Sequence, residues 1–373
     1  MTRAPEVQIV IPVHDPTRQI RRAVESVLQC RSAAAIVVAH GIDSAKLDLP
    51  LNERVTVVRV DEGVGYPGIA FNAGLKAGTA PWVGVMGSDD WFQDGALEAL
   101  ITRAESTGSD GVLVPLSAPG ASQNVLKPVT LRAQELDPVR DRLFYRTAPL
   151  GIFRKEILQS PRYLFAEDTV AGVDQINGIR LWTDGLKISY FRNDPAYVVG
   201  DDARTRVTLA RRSVSEQAAA WKNVWQDPEV RALPLTVRNA LGEKMIRVHV
   251  FDWIKRHRDA KTWQPGDLDW LAGLVELILE SAPAATLALS SSENAVITSL
   301  LERDLGGMQA AFVADQGARF RPPHDIRGLA SPTAWPRREI VAVTQRMSDR
   351  FRLPKRNRSR ERIEHTRVTE DLS

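Results

Sequence analysis

The chain has 373 residues, 43% of them hydrophobic and 25% charged, with a net charge of +3. This is an ordinary globular composition with room for two or three domains, and it lacks the strongly basic balance of a nucleic-acid-binding protein. A lone cysteine, Cys30, excludes an internal disulfide and a cysteine-built metal site. A reducing cytoplasm is therefore the expected compartment. The N-terminus lacks a signal-peptide layout, and no apolar run approaches the ~18 residues of a membrane helix.

The first third of the chain alternates strands and helices. Residues 7–13, VQIVIPV, are rich in β-branched side chains and read as a buried strand. Ile20, Ala23, Val24, Val27 and Leu28 then recur at helical spacing on one face. Residues 35–39 and 54–60 are the second and third strands. A glycine-rich turn leads into a short helix over 69–77. Residues 82–86, WVGVM, form a fourth strand that runs into Asp89 and Asp90. A helix over 95–105 and a strand over 111–116 follow. This βαβ rhythm predicts a mainly parallel sheet with helices on both faces. In such sheets ligands bind at the carboxyl ends of strands, where Asp89 and Asp90 stand.

From about residue 207 the pattern becomes helical, over 207–225, 235–257, 268–280 and 292–312. Pro228, Pro234, Pro265 and Pro283 punctuate it. After residue 319 the chain is rich in proline and arginine and too poor in apolar residues to fold alone. The expected division is an α/β domain over 1–206, a helical domain over 207–318 and a disordered basic tail over 319–373.

Three constellations carry chemistry. Adjacent carboxylates at a strand end suit a hard divalent cation shared with substrate phosphates; they equally suit the N-cap of the next helix. Gly63, Gly65 and Gly68 form G-x-G-x-x-G before a helix, with Asp89 downstream as in the dinucleotide fingerprint. That turn follows the third strand rather than the first, where PVHDPTRQ stands, which counts against a nicotinamide-dependent oxidoreductase. In YLFAEDT, Glu167 and Asp168 are adjacent acids in an apolar setting, where partial burial raises a carboxylate pKa and makes a usable base; a surface turn is the competing reading. His14, His249, His257 and His365 have no partners at metal-ligand spacing.

In order, VQIVIPVHD, RQIRRAVESVL, GYPGIAFNAGLKAGTAPWVGVMGSDDW, FAEDTVAGVDQINGIRLW and YVVGDDARTRVT resemble the segments of family 2 glycosyltransferases. The resemblance runs from residue 7 to about 208. It implies a GT-A, Rossmann-like nucleotide-sugar-binding domain followed by the helical domain. It further implies an inverting, metal-dependent transfer from a nucleotide-sugar donor to a hydroxyl acceptor, in cell-envelope or polysaccharide synthesis. By that resemblance Asp89 binds Mg²⁺ or Mn²⁺ on the donor diphosphate, and Asp90 supports it or contacts the sugar. Asp168 is the general base, with Glu167 orienting it or binding acceptor. Pro12, Asp15, His40 and Asn72 fall on the nucleotide side, Asp15 equally suiting a turn after the first strand. Trp91 and Trp182 are candidates for stacking on sugar rings or for the core.

Three positions depart from the family pattern. Gly87 stands where the first acid of Asp-x-Asp is expected, Ala39 and His40 where the second strand usually ends in acids, and Phe71 where an arginine often precedes Asn72. A non-catalytic sugar-nucleotide or glycan-binding module on the same fold therefore stands as the alternative. Arg350, Arg352, Lys355, Arg356, Arg358 and Arg360 give the tail a charge that an anionic membrane surface attracts, so peripheral contact with the inner face of the membrane is expected beside a glycan or glycolipid acceptor. The helical region offers a surface for a homodimer, and no basic-aromatic motif for nucleic acid occurs in the folded part.

Overall fold

The computed structural model describes residues 4–119, 130–201, 213–317 and 322–331, with positions 340 and 343. In chain order the first half holds β1 (Val7–Val13), α1 (Ile20–Leu28), β2 (Ala33–His40), β3 (Val55–Val60), α2 (Pro67–Ala77), β4 (Trp82–Val85), β5 (Trp91–Phe92) and α3 (Ala96–Thr107). Next come β6 (Gly111–Leu113), β7 (Leu116–Ser117), β8 (Gly151–Arg154), α4 (Lys155–Leu158), α5 (Gln175–Thr183), β9 (Ile188–Tyr190) and β10 (Tyr197–Val198). The strand expected over 111–116 is split at Pro115, which has no N–H for the ladder.

Seven strands form one sheet in the order β3-β2-β1-β4-β8-β6-β9, and β5-β10-β7 form a second. β3, β2, β1 and β4 are mutually parallel, β8 runs against both its neighbours, and β6 and β9 are parallel. The alternation of β1 explains the layers. Val7, Ile9, Ile11 and Val13 pack with α1 and α3 on one face, while Val10 joins Ala70 and Leu75 of α2 on the other. The polar residue in this buried strand, Gln8, accepts the backbone N–H groups of Thr79 and Ala80 at 2.6 and 2.8 Å, which fixes the turn before β4.

β2 lies on one side of β1 and β4 on the other. The winding therefore reverses between the carboxyl ends of β1 and β4, and a crevice opens there.

The second half is helical: α6 (Val214–Gln226), α7 (Pro228–Ala232), α8 (Leu235–Lys244), a π-helical turn (Met245–Val250), α9 (Phe251–Arg256), α10 (Asp267–Ser281), α11 (Ser291–Leu301) and α12 (Leu305–Gly317). Trp221, Trp225, Ile246, Leu271 and Leu300 from these helices join the core that contains Val10 and Val85, so sheet and helices share one continuous interior. The single helix expected over 292–312 is two helices. Arg303 takes φ 58°, outside the helical region, and Asp304 Oδ1 accepts the Gly307 N–H at 2.9 Å to start α12.

The boundary expected at 206/207 lies outside the described residues. Residues 322–331 depart from the expectation of a disordered tail. Pro323 bridges to Ser290, and the His324 N–H donates to the Leu289 carbonyl at 2.8 Å, so backbone pairing replaces the core this stretch lacks. The basic positions from Arg350 to Arg360 lie outside the described residues. Among the described residues no helix is long and apolar enough to cross a membrane.

Candidate active site

A cavity of about 430 Å³ occupies the crevice at the winding reversal. Pro12 and His14 enter it from the end of β1, Phe71 from α2, and Met86 to Asp90 from the end of β4. Phe165 and residues 170–174 line it as well. A larger open groove of about 660 Å³ runs along α1, but Arg21 and Asp48 neutralise each other there at 2.5 Å.

The carboxylates after β4 are held differently. Asp89 Oδ2 is 2.8 Å from Arg18 Nη1, and its backbone carbonyl accepts Arg22 Nη2 at 2.5 Å. The Arg22 guanidinium also lies over the Trp91 ring, 4.1 Å from its centroid. Asp90 accepts the Gly200 N–H at 2.8 Å on Oδ1 and the Tyr197 hydroxyl on Oδ2. The same hydroxyl oxygen accepts the Gly87 N–H at 3.0 Å. Burial, then the charge of Asp90, pushes the Tyr197 phenol well above its ordinary value, so it stays a donor. Desolvation and then the Arg18 charge push the His14 imidazole down, against Asp15 and Asp89, which leaves it neutral near pH 7.

Of the residues singled out by sequence, Pro12, Asp89 and Asp90 line this cavity. Asn72 is buried beneath the opposite wall. Its amide donates to the Phe165 carbonyl at 2.9 Å and to Glu167 Oε1 at 2.8 Å, and its Oδ1 accepts the Phe165 N–H at 2.9 Å. Asp168 lines a separate cavity of about 190 Å³ with Thr169, Gln175 and Asn223. His40 is buried at the end of β2, with Nε2 2.9 Å from the Glu62 carbonyl oxygen. Asp15 closes a local turn by accepting the Thr17 N–H and hydroxyl at 2.9 and 2.7 Å. Trp182 is a core residue whose indole N–H donates to the Arg146 carbonyl at 3.1 Å. Cys30 is buried.

Sequence reasoning passed over Arg18, Arg22, Tyr197 and Asp174. The arginines stand in the stretch RQIRR that leads into α1, Arg18 before the helix and Arg22 in its first turn. Tyr197 and Asp174 carry no such signal, because only the packing of distant segments brings Tyr197 to Asp90 and Asp174 to the cavity.

Among the described residues no group of three or more acids or histidines is arranged to hold a metal ion. The chain thus offers a minimal donor set. Both Asp90 oxygens are engaged and Asp89 Oδ2 is paired with Arg18, so of these two acids Asp89 Oδ1 is the oxygen that remains for a cation. A cation that takes most of its ligands from a diphosphate and water fits such a site with one or two protein carboxylates.

Residues 8–160 match the model of glycosyl transferase family 2. The chain is 21% identical over 207 residues to poly(ribitol-phosphate) beta-N-acetylglucosaminyltransferase TarP of Staphylococcus aureus strain N315, covering 53% of this chain and 63% of that protein. It is 31% identical over 112 residues to the succinoglycan biosynthesis protein ExoO of Rhizobium meliloti strain 1021, covering 29% of this chain and 32% of that protein. The chain therefore spans less than two thirds of the length of either relative. In fold it is similar to residues 1–349 of S. aureus TarS in complex with UDP-GlcNAc, with a TM-score of 0.66 at 15% identity over 85% of this chain and 93% of that one. The fold is thus GT-A, and the likeness extends past the family 2 region into the helices.

Proposed function

We propose that this protein, whose residues 8–160 match the model of glycosyl transferase family 2, moves a sugar from a nucleotide-sugar donor to a hydroxyl acceptor. The observation that carries the reading is the placement of Asp89 and Asp90 at the end of β4, in the crevice of a GT-A sheet, with Arg18 beside them. The donor diphosphate lies there. Arg18, just before α1, lines the cavity and meets its negative charge. Asp89 would hold a divalent cation, and Asp90, fixed by Tyr197 and Gly200, keeps the turn in shape. When bound, that cation neutralises charge on the leaving diphosphate. The acidic segment 167–174 supplies the base, with Asp168 as the residue that the family resemblance marks. Attack by the acceptor oxygen in line with the departing diphosphate inverts the anomeric carbon.

The similarity to TarS, captured with UDP-GlcNAc, makes that compound the first donor to try. The relatives are a poly(ribitol-phosphate) beta-N-acetylglucosaminyltransferase and a succinoglycan biosynthesis protein, which supports a cell-envelope polymer or polysaccharide as acceptor class. A cytoplasmic place, at the inner face of the membrane, accords with such acceptors. The dinucleotide reading is disfavoured by Gly68. A β-carbon there would lie 1.9 Å from the Ala166 carbonyl oxygen, so this glycine serves the approach of the chain's own backbone rather than a pyrophosphate.

A second reading is favoured by Gly87 and by the Arg18–Asp89 pair: a module that binds sugar nucleotides without turnover. Calorimetry with UDP, GDP, dTDP and UDP-GlcNAc, with and without Mn²⁺, separates the two. Metal-dependent binding lost in Asp89→Ala, with sugar transfer by the parent, supports the transferase. Metal-independent binding without turnover supports the module, and no binding at all overturns both.

A further inference from the structure

The chain carries its own cation to the carboxylate that a metal would use. Arg18 Nη1 lies 2.8 Å from Asp89 Oδ2, and the two side chains are 8% and 15% exposed. An ion pair in open solvent holds its partners weakly, but this one is withdrawn from water, where its charges are poorly screened. Among the described residues that line the cavity, Arg18 is the one arginine or lysine.

The loop between β1 and α1 is built to present it. The Arg18 N–H donates to the Asp15 carbonyl at 3.2 Å. The Asp15 carboxylate in turn accepts the Thr17 N–H and hydroxyl, so this turn fixes the backbone from which Arg18 reaches the end of β4. Four residues on, Arg22 adds a second guanidinium at the Asp89 carbonyl oxygen, 2.5 Å away. Two guanidiniums thus stand against the carboxylates of Asp89 and Asp90, and the turn is near charge balance before a metal binds. Arg18 opposes a divalent cation that comes alone, because the two would share one carboxylate. It tolerates one that comes with the negative charge of a diphosphate. A guanidinium fork also fits phosphate as well as it fits carboxylate, so Arg18 has a second partner to turn to.

We infer that Arg18 couples the two ligands of the donor site: it occupies Asp89 in the free protein and leaves it for the donor diphosphate, so that a divalent cation gains the whole carboxylate only together with the nucleotide. The inference rests on the donor-site reading and adds the order of binding to it. Asp89 is then masked rather than idle, and Asp15 is the positioning residue of the mask. By linkage, the factor by which nucleotide tightens metal is the factor by which metal tightens nucleotide, and Arg18 sets part of it.

The test uses the full chain, with Mn²⁺ as the metal and UDP, GDP and dTDP as nucleotide probes. Water-proton relaxation gives Mn²⁺ affinity with and without nucleotide, and calorimetry gives nucleotide affinity with and without Mn²⁺. In Arg18→Gln, Mn²⁺ alone is expected to bind about tenfold tighter than to the parent, within the ordinary range of coupling between two ligands. Arg18→Gln/Asp89→Ala is expected to lose that gain, which assigns it to Asp89. Nucleotide alone is expected to bind Arg18→Gln about tenfold more weakly, because the fork that meets the diphosphate is gone. Arg18→Lys keeps the charge and is expected to bind Mn²⁺ alone as weakly as the parent. Thermal unfolding screens the variants, and Arg18→Met takes the place of Arg18→Gln if the latter does not fold. Mn²⁺ that binds the uncharged variant no tighter than the parent, or a nucleotide-dependent gain in Mn²⁺ affinity that survives the substitution unchanged, overturns the inference and leaves the donor site standing. A parent that binds no nucleoside diphosphate overturns both.

Discussion

A β-carbon at position 87 would lie 2.5 Å from Asp90 Oδ2 and 3.3 Å from Asp89 Oδ1. The missing first acid of the Asp-x-Asp pattern is thus matched to its neighbours. Asp90 folds back over Gly87 to meet Tyr197 and Gly200, and no side chain fits beneath it. Gly87→Asp, which restores the family's acid, is therefore expected to destabilise by about 1–3 kcal/mol through overpacking and like-charge crowding. It should weaken nucleotide binding rather than strengthen metal binding. Denaturant unfolding and calorimetry check the two effects. Tyr197→Phe removes the hydroxyl that serves both Asp90 and Gly87. Leaving these groups unmatched is expected to cost about 1–3 kcal/mol, read in the same unfolding experiment.

The element that positions the acidic segment is α2. Phe71, standing in place of the family's arginine, stacks on Phe165 with centroids 4.8 Å apart. Asn72, next to it, makes three hydrogen bonds to Phe165 and Glu167. Together they dock the stretch that leads to Asp168 and Asp174 against the sheet. Asn72→Ala is expected to destabilise by about 2 kcal/mol, because buried backbone groups of Phe165 lose their partners. If the segment 167–174 supplies the base as proposed, the same variant should lower turnover more than donor affinity. Thermal unfolding and a kcat-against-Kd comparison check this.

Across the whole molecule, the α/β half and the helices are tied on the surface as well as in the core. Arg162 pairs with Asp184 at the end of α5 and with Glu229 of α7, and Arg180 reaches Glu229 at 3.0 Å. The Arg162 hydrogen bonds, and then the Tyr163 hydroxyl, hold the Asp184 carboxyl below its usual value against desolvation. A depressed carboxylate stabilises the fold above its unfolded pKa and loses that contribution as pH falls through the folded one. Asp184→Asn is therefore expected to be less stable by about 1 kcal/mol at pH 7, a modest figure because Arg162 is half in solvent. The difference should shrink as pH drops below about 4, which denaturant unfolding at pH 7 and pH 3 measures. The parallel sheet, its strand order of apolar runs, the helical second half and the acids at the end of β4 were legible in the sequence, because burial on both faces and helical periodicity write themselves into local residue patterns. The division of labour among the acids was not. Whether Asp168 or Asp174 lines the cavity, why position 87 is glycine, and how Trp221 comes to line it depend on side chains far apart in sequence, and only the packing of the helices onto the sheet decides which of them meet.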